Sequence, residues 1–210
     1  MTRIDGVKLY FASFEKTGVP KELKIYPSQR AAEISAARNS KVKNEKLCVW
    51  NLLDIALDKS FGISTKDAKL YKDENGKWHS AMEGVFFSLS HTDSVCAVAI
   101  SSHPCGVDIE KFDKDRFGKA LAKKILTDGE YDIYLSQSEE NRAFYTARKW
   151  TEKESVFKLL GESTFLPSHI DTAKYNIFSD ELSFGNAVYS VSVSCEKSFE
   201  VSVDKSFLKC

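Results

Sequence analysis

Residues 106–110 read Gly-Val-Asp-Ile-Glu, a short apolar run that carries two acidic residues two positions apart. Successive side chains of a strand point to opposite faces, so Asp108 and Glu110 share one face, while Val107 and Ile109 point into the core. Neighbouring carboxylates repel each other unless a cation lies between them. Carboxylate oxygens are ligands that Mg2+ prefers, together with water and phosphate. These residues therefore predict a buried strand with a divalent-cation site on its polar face.

A second motif lies about forty residues further along the chain, where residues 150–158 read Trp-Thr-Glu-Lys-Glu-Ser-Val-Phe-Lys. The surrounding pattern predicts a helix over residues 139–160. Trp150, Glu154 and Lys158 are spaced by four, which places them on one stripe of that helix. An aromatic ring, an acid and a base on one face could supply a wall, a metal ligand and a phosphate clamp. Packed against the strand, Glu154 would add a third carboxylate to the pair.

Each motif, taken alone, also has a purely structural interpretation. The two acids could form the polar end of an ordinary strand. Glu154 and Lys158 could be a solvated pair on a helix surface, which contributes only about 0.3–0.5 kcal/mol. Trp150 could be a core residue.

The rest of the chain alternates between strand and helix patterns. The strands are predicted at residues 7–14, 85–89, 95–100 and 106–109, and the helices at 28–38, 41–59, 112–137 with a break at 127–129, and 139–160. Residues 71–84 are predicted as a loop or a hairpin, with a turn at Asn75-Gly76. Alternating apolar residues near 189–193 and 201–204 indicate antiparallel strands.

A strand–helix–strand order thus occurs twice, with the join near Pro104. The join divides the chain into residues 1–104 and residues 105–210, although the similarity of the two parts in sequence is too weak to establish a duplication. The mixture of strands and helices is typical of an α+β protein.

The amino-acid composition argues against several classes of function. The 210 residues are 42% hydrophobic and 29% charged, as in ordinary folded proteins. Thirty basic and thirty acidic residues give no net charge, which argues against a nucleic acid partner bound over the whole surface. The five cysteines are odd in number and lack C-x-x-C spacing, so we expect reduced thiols rather than disulfides or structural zinc. No segment has the pattern of a signal peptide or membrane span, and we expect a cytoplasmic protein with no membrane partner.

The two motifs together resemble the double signature of the 4'-phosphopantetheinyl transferase superfamily, in the spelling of its Sfp-like subclass. A third element agrees, because residues 87–92 read Phe-Ser-Leu-Ser-His-Thr, where that subclass carries a similar stretch. Order and spacing match for all three. The resemblance spans roughly residues 85–161 and extends more weakly to the helix at 41–57.

This resemblance implies a pseudo-twofold tandem of two similar α/β halves with coenzyme A in the cleft between them. The N-terminal half would bind the 3'-phosphate of coenzyme A. The C-terminal half would hold the metal and the catalytic motifs and dock the carrier protein. The implied reaction transfers 4'-phosphopantetheine from coenzyme A to a serine of an acyl or peptidyl carrier protein and releases 3',5'-ADP. Carriers of fatty acid, polyketide and nonribosomal peptide synthesis all fit.

The resemblance also assigns roles to individual residues. Mg2+, or Mn2+ in its place, would be held by Asp108, Glu110 and Glu154. Lys158 would neutralise the pyrophosphate, and Glu154 is the candidate base for the serine proton, either directly or through a water molecule. Ser90 and His91 would face the 3'-phosphate.

The basic residues of the N-terminal half are harder to align with the family. Lys43 and Lys46 are the candidates for the 3'-phosphate, although a solvated helix face explains them equally well. A transient, acidic carrier protein is the expected partner of a monomeric enzyme. Residues 111–124 are the candidate docking segment, unless they form an ordinary charged helix. Their basic residues are Lys111, Lys114, Arg116, Lys119, Lys123 and Lys124.

Two other functions are weighed against this one. A metal-dependent nuclease or phosphodiesterase would also use acids and a helical lysine around a phosphate, but it leaves the Trp-Thr-x-Lys-Glu-Ser and Ser-His-Thr spellings unexplained. A non-catalytic coenzyme A-binding module would bind without turnover, yet nothing in the three motifs is visibly broken.

Overall fold

A computed structural model describes residues 4–14 and 25–208. The strands are β1 (Val7–Ser13), β2 (Leu70–Lys72), β3 (Trp78–Ser80), β4 (Phe86–Thr92), β5 (Val95–Ser101), β6 (Cys105–Lys111), β7 (Asn176–Phe184), β8 (Ala187–Cys195) and β9 (Val201–Phe207). The helices are α1 (Ser28–Ser35), α2 (Ser40–Phe61), α3 (Lys119–Ile125), α4 (Asp128–Ser136) and α5 (Glu139–Leu160). The predicted α+β class is confirmed.

Two main sheets share one pattern of connections. The first has the order β4-β5-β1-β9 and the second has the order β6-β8-β7, while β2 and β3 form a separate hairpin. In each main sheet a strand is followed by a helix of 22 residues and then by an antiparallel strand pair. The second strand of that pair lies against the strand that precedes the helix.

The core consists of four layers, with α2 and α5 on the outside and the two sheets between them. One face of β1 and β5 packs on the apolar face of β6 and β8, where Val107 and Ile109 are completely buried as predicted. Each such side chain contributes about 1.5–3 kcal/mol on burial. The opposite face of the first sheet packs on the apolar stripe of α2.

Three parts of the sequence prediction are wrong or incomplete. β9 pairs parallel with β1 rather than antiparallel, because alternation reports which face is buried and not the direction of a neighbour. β9 therefore lies in the first sheet, although it follows the second one in sequence. The strand β7 was not predicted, since most of this edge strand is polar and only partly buried. The helix predicted over residues 112–137 is α3 and α4, preceded by a turn.

The α5 helix packs on the second sheet through small polar groups. The Thr151 hydroxyl lies 3.0 Å from the hydroxyl of Ser190 and 2.8 Å from that of Ser192. A Cβ on Gly106 would lie 1.9 Å from the Ser155 carbonyl oxygen. Small side chains on both elements therefore allow the helix backbone to approach β6 closely, which brings the second motif to the first.

Within residues 4–14 and 25–208, no helix is both long enough and apolar enough to cross a membrane.

Candidate active site

The site lies where an edge of the first sheet meets an edge of the second. The backbone N–H groups of Val107 and Ile109, on the free edge of β6, donate to the hydroxyls of Ser88 (3.0 Å) and Ser90 (3.3 Å) on β4. The two serine hydroxyls accept hydrogen bonds from backbone N–H groups of β6 that would otherwise be buried without a partner. The Ser-x-Ser pattern of β4 therefore joins the two sheets and places the acids of β6 at the junction.

Asp108 is 5% exposed and is held from two sides. Its Oδ1 accepts hydrogen bonds from Ser90 Oγ at 2.8 Å and from Lys158 Nζ at 2.7 Å. Its Oδ2 is buried and has no hydrogen-bond partner among the described residues. A buried carboxylate oxygen without a partner is costly, and a cation bound at this oxygen would remove that cost.

Glu110 accepts two parallel hydrogen bonds from Arg116, with both N···O distances at 2.7 Å. Thr92 Oγ1 donates a further bond of 3.1 Å to the same carboxylate. Sequence reasoning assigned Arg116 only to the docking segment and missed its place beside the acids. Its spacing of six from Glu110 could not reveal the contact, because a turn rather than a regular helix connects the two residues.

Glu154 is half-buried, and its carboxyl makes no hydrogen bond or ion pair within residues 4–14 and 25–208. Burial raises the pKa of Glu154 to about 7, and the negative charge of Asp108 adds to the increase. Lys158 opposes this effect. The carboxyl thus lies close enough to the acids of β6 to feel their charge, which is the arrangement that a cation would relieve.

We expect the metal-free protein to lose stability as the pH rises through about 7. The pKa of Glu154 in the folded state lies above its ordinary value of 4.5. Its contribution is therefore complete below pH 4.5 and is lost as the carboxyl ionises near pH 7. Urea unfolding in the presence of a chelator should show a steeper fall in unfolding free energy between pH 5 and 8 for the unmodified protein than for Glu154→Gln.

The exposed residue Glu139, changed to Gln, is the matched control and should keep the full pH dependence. Identical pH profiles for Glu154→Gln and the unmodified protein would contradict the assignment of this titration.

The donor set at the junction suits a divalent cation. The charges of Asp108 and Glu110 both act on the Glu154 carboxyl, and one buried oxygen of Asp108 lacks a partner among the described residues. Across the described part of the chain, however, no three acid, histidine or cysteine side chains converge as a metal site. Lys158 and Arg116 instead pair with the two β6 acids.

Ser90 and His91 are neighbours in sequence but lie on opposite faces of β4. The Ser90 hydroxyl contacts Asp108, whereas the His91 ring lies towards α2, with Nε2 3.8 Å from Glu45 Oε2 and 47% of the side chain exposed. Burial lowers the pKa of His91, and Glu45 opposes that effect. The structure therefore does not bring Ser90 and His91 to a common point.

The two candidate lysines of the N-terminal half lie on α2. Lys43 is exposed, and Lys46 Nζ lies 3.5 Å from the carbonyl oxygen of Glu33. Beside them, Arg30 is buried, contacts the Lys46 carbonyl at 3.3 Å and lies over the Trp50 ring. Arg30 is a cation near this surface that the sequence did not single out.

A cavity of about 270 Å3 opens beside Lys158. It is lined by residues 75–78 and 87–89 of the N-terminal half and by 157–158 and 161–163 of the C-terminal half. Lys77 Nζ donates to the carbonyl oxygen of Leu159 at 3.1 Å, and Asn75 Nδ2 donates to that of Gly161 at 2.9 Å. The β2–β3 turn therefore binds the C-terminal end of α5 and closes one wall of the cavity.

Trp150 packs inside the second half. Its ring lies 5.6 Å from that of Phe165 at a right angle, and the guanidinium of Arg116 lies 5.9 Å from its centroid. The Trp150 ring thus packs beside Arg116, the residue that pairs with Glu110.

The family model of the 4'-phosphopantetheinyl transferase superfamily matches residues 104–185. The holo-[acyl-carrier-protein] synthase of Shewanella putrefaciens (strain CN-32 / ATCC BAA-453) is 33% identical over 115 residues, which cover 46% of this chain and 89% of that protein. The chain belongs to the 4'-phosphopantetheinyl transferase superfamily. The match includes both motifs, so the family predicted from them is confirmed.

Other members of the superfamily support the Sfp-like subclass. The 4'-phosphopantetheinyl transferase gsp of Aneurinibacillus migulanus is 30% identical over 105 residues, which cover 50% of this chain and 43% of that protein. The 4'-phosphopantetheinyl transferase Sfp of Bacillus subtilis (strain 168) is 26% identical over 117 residues, which cover 55% of this chain and 51% of Sfp. The matched regions span about half the length of these two relatives.

Proposed function

We propose that this superfamily member transfers 4'-phosphopantetheine from coenzyme A to a serine of an acyl or peptidyl carrier protein and releases 3',5'-ADP. One observation carries the proposal. Lys158 lines the cavity to which both halves contribute, and its Nζ also lies 2.7 Å from Asp108 Oδ1, so the cavity adjoins the acid cluster. Relatives named 4'-phosphopantetheinyl transferase and holo-[acyl-carrier-protein] synthase support it.

The proposed architecture is a pseudo-twofold tandem, divided between residues 104 and 105, with coenzyme A in the cleft. The repeated order of strand, long helix and strand pair in the two sheets supports it. The contribution of both halves to the cavity lining supports the placement of coenzyme A.

The proposed metal ligands are Asp108, Glu110 and Glu154, which would hold Mg2+ or Mn2+. The unpartnered Asp108 oxygen and the raised pKa of Glu154 support this assignment. When bound, such an ion neutralises charge that develops on the pyrophosphate oxygens.

Phosphoryl transfer asks little covalent chemistry of a protein, so positioning and charge carry most of the effect. Lys158 is proposed to exchange its bond with Asp108 for the pyrophosphate of coenzyme A. Glu154 is proposed to accept the proton of the carrier serine, either directly or through a water molecule, because its carboxyl lies among the acids at the junction of the two sheets.

At the other end of coenzyme A, the proposed 3'-phosphate contacts are Lys43, Lys46 and His91. The contact of His91 Nε2 with Glu45 Oε2 at 3.8 Å places His91 beside the part of α2 that carries both lysines, which supports a common site. Ser90 was predicted there too, but its hydroxyl is engaged with Asp108, so its proposed role is to orient that carboxylate.

The proposed function is tested by the intact mass of an apo carrier protein after incubation with this protein, coenzyme A and Mg2+. We expect the carrier to gain one phosphopantetheinyl group and to gain none when a chelator is present. No gain across fatty acid, polyketide and nonribosomal peptide carriers would contradict the transferase. Binding of coenzyme A by calorimetry would then support a non-catalytic binding module.

The docking surface for the proposed acidic carrier is formed by four exposed lysines, Lys114, Lys119, Lys123 and Lys124. Within the described residues these four make no ion pair. Two other predicted members of the surface are engaged elsewhere, since Lys111 pairs with Asp93 and Arg116 with Glu110. The free lysines could therefore complement a negatively charged partner at low ionic strength.

We expect the double variant Lys119→Glu and Lys123→Glu to raise the KM for carrier protein about tenfold or more, because like charges oppose association. The KM for coenzyme A should not change. Steady-state kinetics with each substrate varied in turn would measure both. Lys197→Glu with Lys205→Glu, two exposed lysines outside the segment, is the matched control. A parallel rise in both constants would contradict the docking assignment.

A further inference from the structure

Arg116 has no role in the proposed reaction, yet it makes the most complete contact with a proposed metal ligand. Its two terminal nitrogens each donate to a different oxygen of Glu110 at 2.7 Å. Paired hydrogen bonds of this kind between a guanidinium and a carboxylate are among the stronger polar contacts in proteins. The pair occupies both oxygens of Glu110, so an approaching metal ion meets a carboxylate that is already neutralised.

A second positive charge lies at the other acid of β6, where Lys158 Nζ is 2.7 Å from Asp108 Oδ1. Two positive charges thus occupy the place that a divalent cation would take. Mg2+ requires near-octahedral geometry and short oxygen distances, and nearby positive charges would repel it. At least one cation has to leave for the ion to bind. Lys158 has an alternative anion in the proposed pyrophosphate, whereas Arg116 has none assigned.

We propose that Arg116 is the resident counter-cation of Glu110, which holds this carboxylate in the metal-free protein and is displaced when Mg2+ binds. The proposal rests on the metal site of the proposed function. It makes Arg116 a positioning residue that acts through Glu110. Binding of Mg2+ is consequently weaker than the carboxylates alone would allow, and the anionic substrate strengthens it by offsetting the positive charge.

The surroundings of Arg116 allow such a displacement. Its side chain is 45% exposed, while that of Glu110 is 17% exposed. Its guanidinium carbon lies 4.9 Å from the ring centroid of Phe117 and 5.9 Å from that of Trp150. Its backbone N–H donates to Asp113 Oδ1 at 3.0 Å. The guanidinium can therefore leave Glu110 and remain over an aromatic surface, while the turn keeps its backbone bond.

Calorimetric titration with Mg2+ alone tests the proposal on the full chain. We expect Arg116→Gln to bind Mg2+ about tenfold more tightly than the unmodified protein, because one nearby positive charge has been removed. Arg116→Lys keeps the charge and should bind as the unmodified protein does. Lys59→Gln, which removes one positive charge from the surface pair with Asp204, should leave the affinity unchanged.

A second readout is the increase in unfolding midpoint on addition of Mg2+, which should be larger for Arg116→Gln than for the unmodified protein. Equal affinity and equal midpoint shifts would overturn the counter-cation role. Weaker binding in Arg116→Gln would also overturn it and would mean that Arg116 orients Glu110 for the metal. Absence of Mg2+ binding in all variants, or binding that Asp108→Asn leaves intact, would instead overturn the metal site of the proposed function and the role of Arg116 with it.

Discussion

Asp108→Asn is expected to lower the rate of phosphopantetheinyl transfer by about 10²–10³-fold while the protein remains folded. Asparagine keeps the size of the side chain and an oxygen for Ser90 and Lys158, but it removes the negative charge that a metal ion requires. Glu154→Gln should have an effect of similar size, because it removes a second proposed ligand together with the proposed proton acceptor. Intact-mass kinetics of carrier modification would measure the rates, and circular dichroism would verify folding.

Asp58→Asn is the matched control, since Asp58 is exposed on α2 and contacts no part of the site. It should keep full activity. Full turnover by Asp108→Asn or by Glu154→Gln would falsify the assignment of these two carboxylates to the metal, whatever the carrier protein used.

Gly106→Ala is expected to cost about 3 kcal/mol or more of unfolding free energy. Its new Cβ would lie 1.9 Å from the carbonyl oxygen of Ser155 and 2.6 Å from the backbone nitrogen of Leu159. Both atoms belong to the backbone of α5 and cannot rotate away, so the helix has to shift as a unit. For a chain of this size the loss corresponds to a fall of roughly 6–12 °C in Tm.

The same shift should reduce activity in whatever fraction of Gly106→Ala folds, because Glu154 and Lys158 are carried on the displaced helix. Gly129→Ala is the matched control, since no atom outside its own helix turn lies within 4 Å of the added Cβ and the residue lies in the first turn of α4. Thermal unfolding should show no loss for this control. A Tm of Gly106→Ala within 2 °C of the control would contradict the close approach of β6 and α5.

Local patterns were sufficient for most elements of the fold. The helix predicted over residues 139–160 has the bounds of α5, and Gly161 ends it in the left-handed conformation, with φ at 70°. Val107 and Ile109 are buried, as strand alternation requires. These features depend on neighbours a few residues apart, so periodicity and capping residues report them directly.

The motifs also identified the superfamily. Two long sequence motifs at a defined separation are much more specific than a single pair of carboxylates. The residues around them were less visible in sequence. The place of Arg116 on Glu110, and that of Lys77 on the end of α5, depend on how a turn is oriented after the chain has folded. Neither residue is separated from its partner by a helix or strand repeat, so sequence periodicity could not identify the contact.

Tertiary structure alone decided the pairing of distant segments. Sequence alternation predicted β9 as a strand, but its parallel neighbour β1 lies almost two hundred residues earlier, and nothing in a short pattern records such a partner. Strand alternation separates Ser90 from His91, and the packing of β4 against β6 decided that Ser90 is the one that meets the acids. The sequence therefore determined the chemistry that is available, and packing decided which groups meet, because distances between remote segments are set only when the sheets and helices close on a common core.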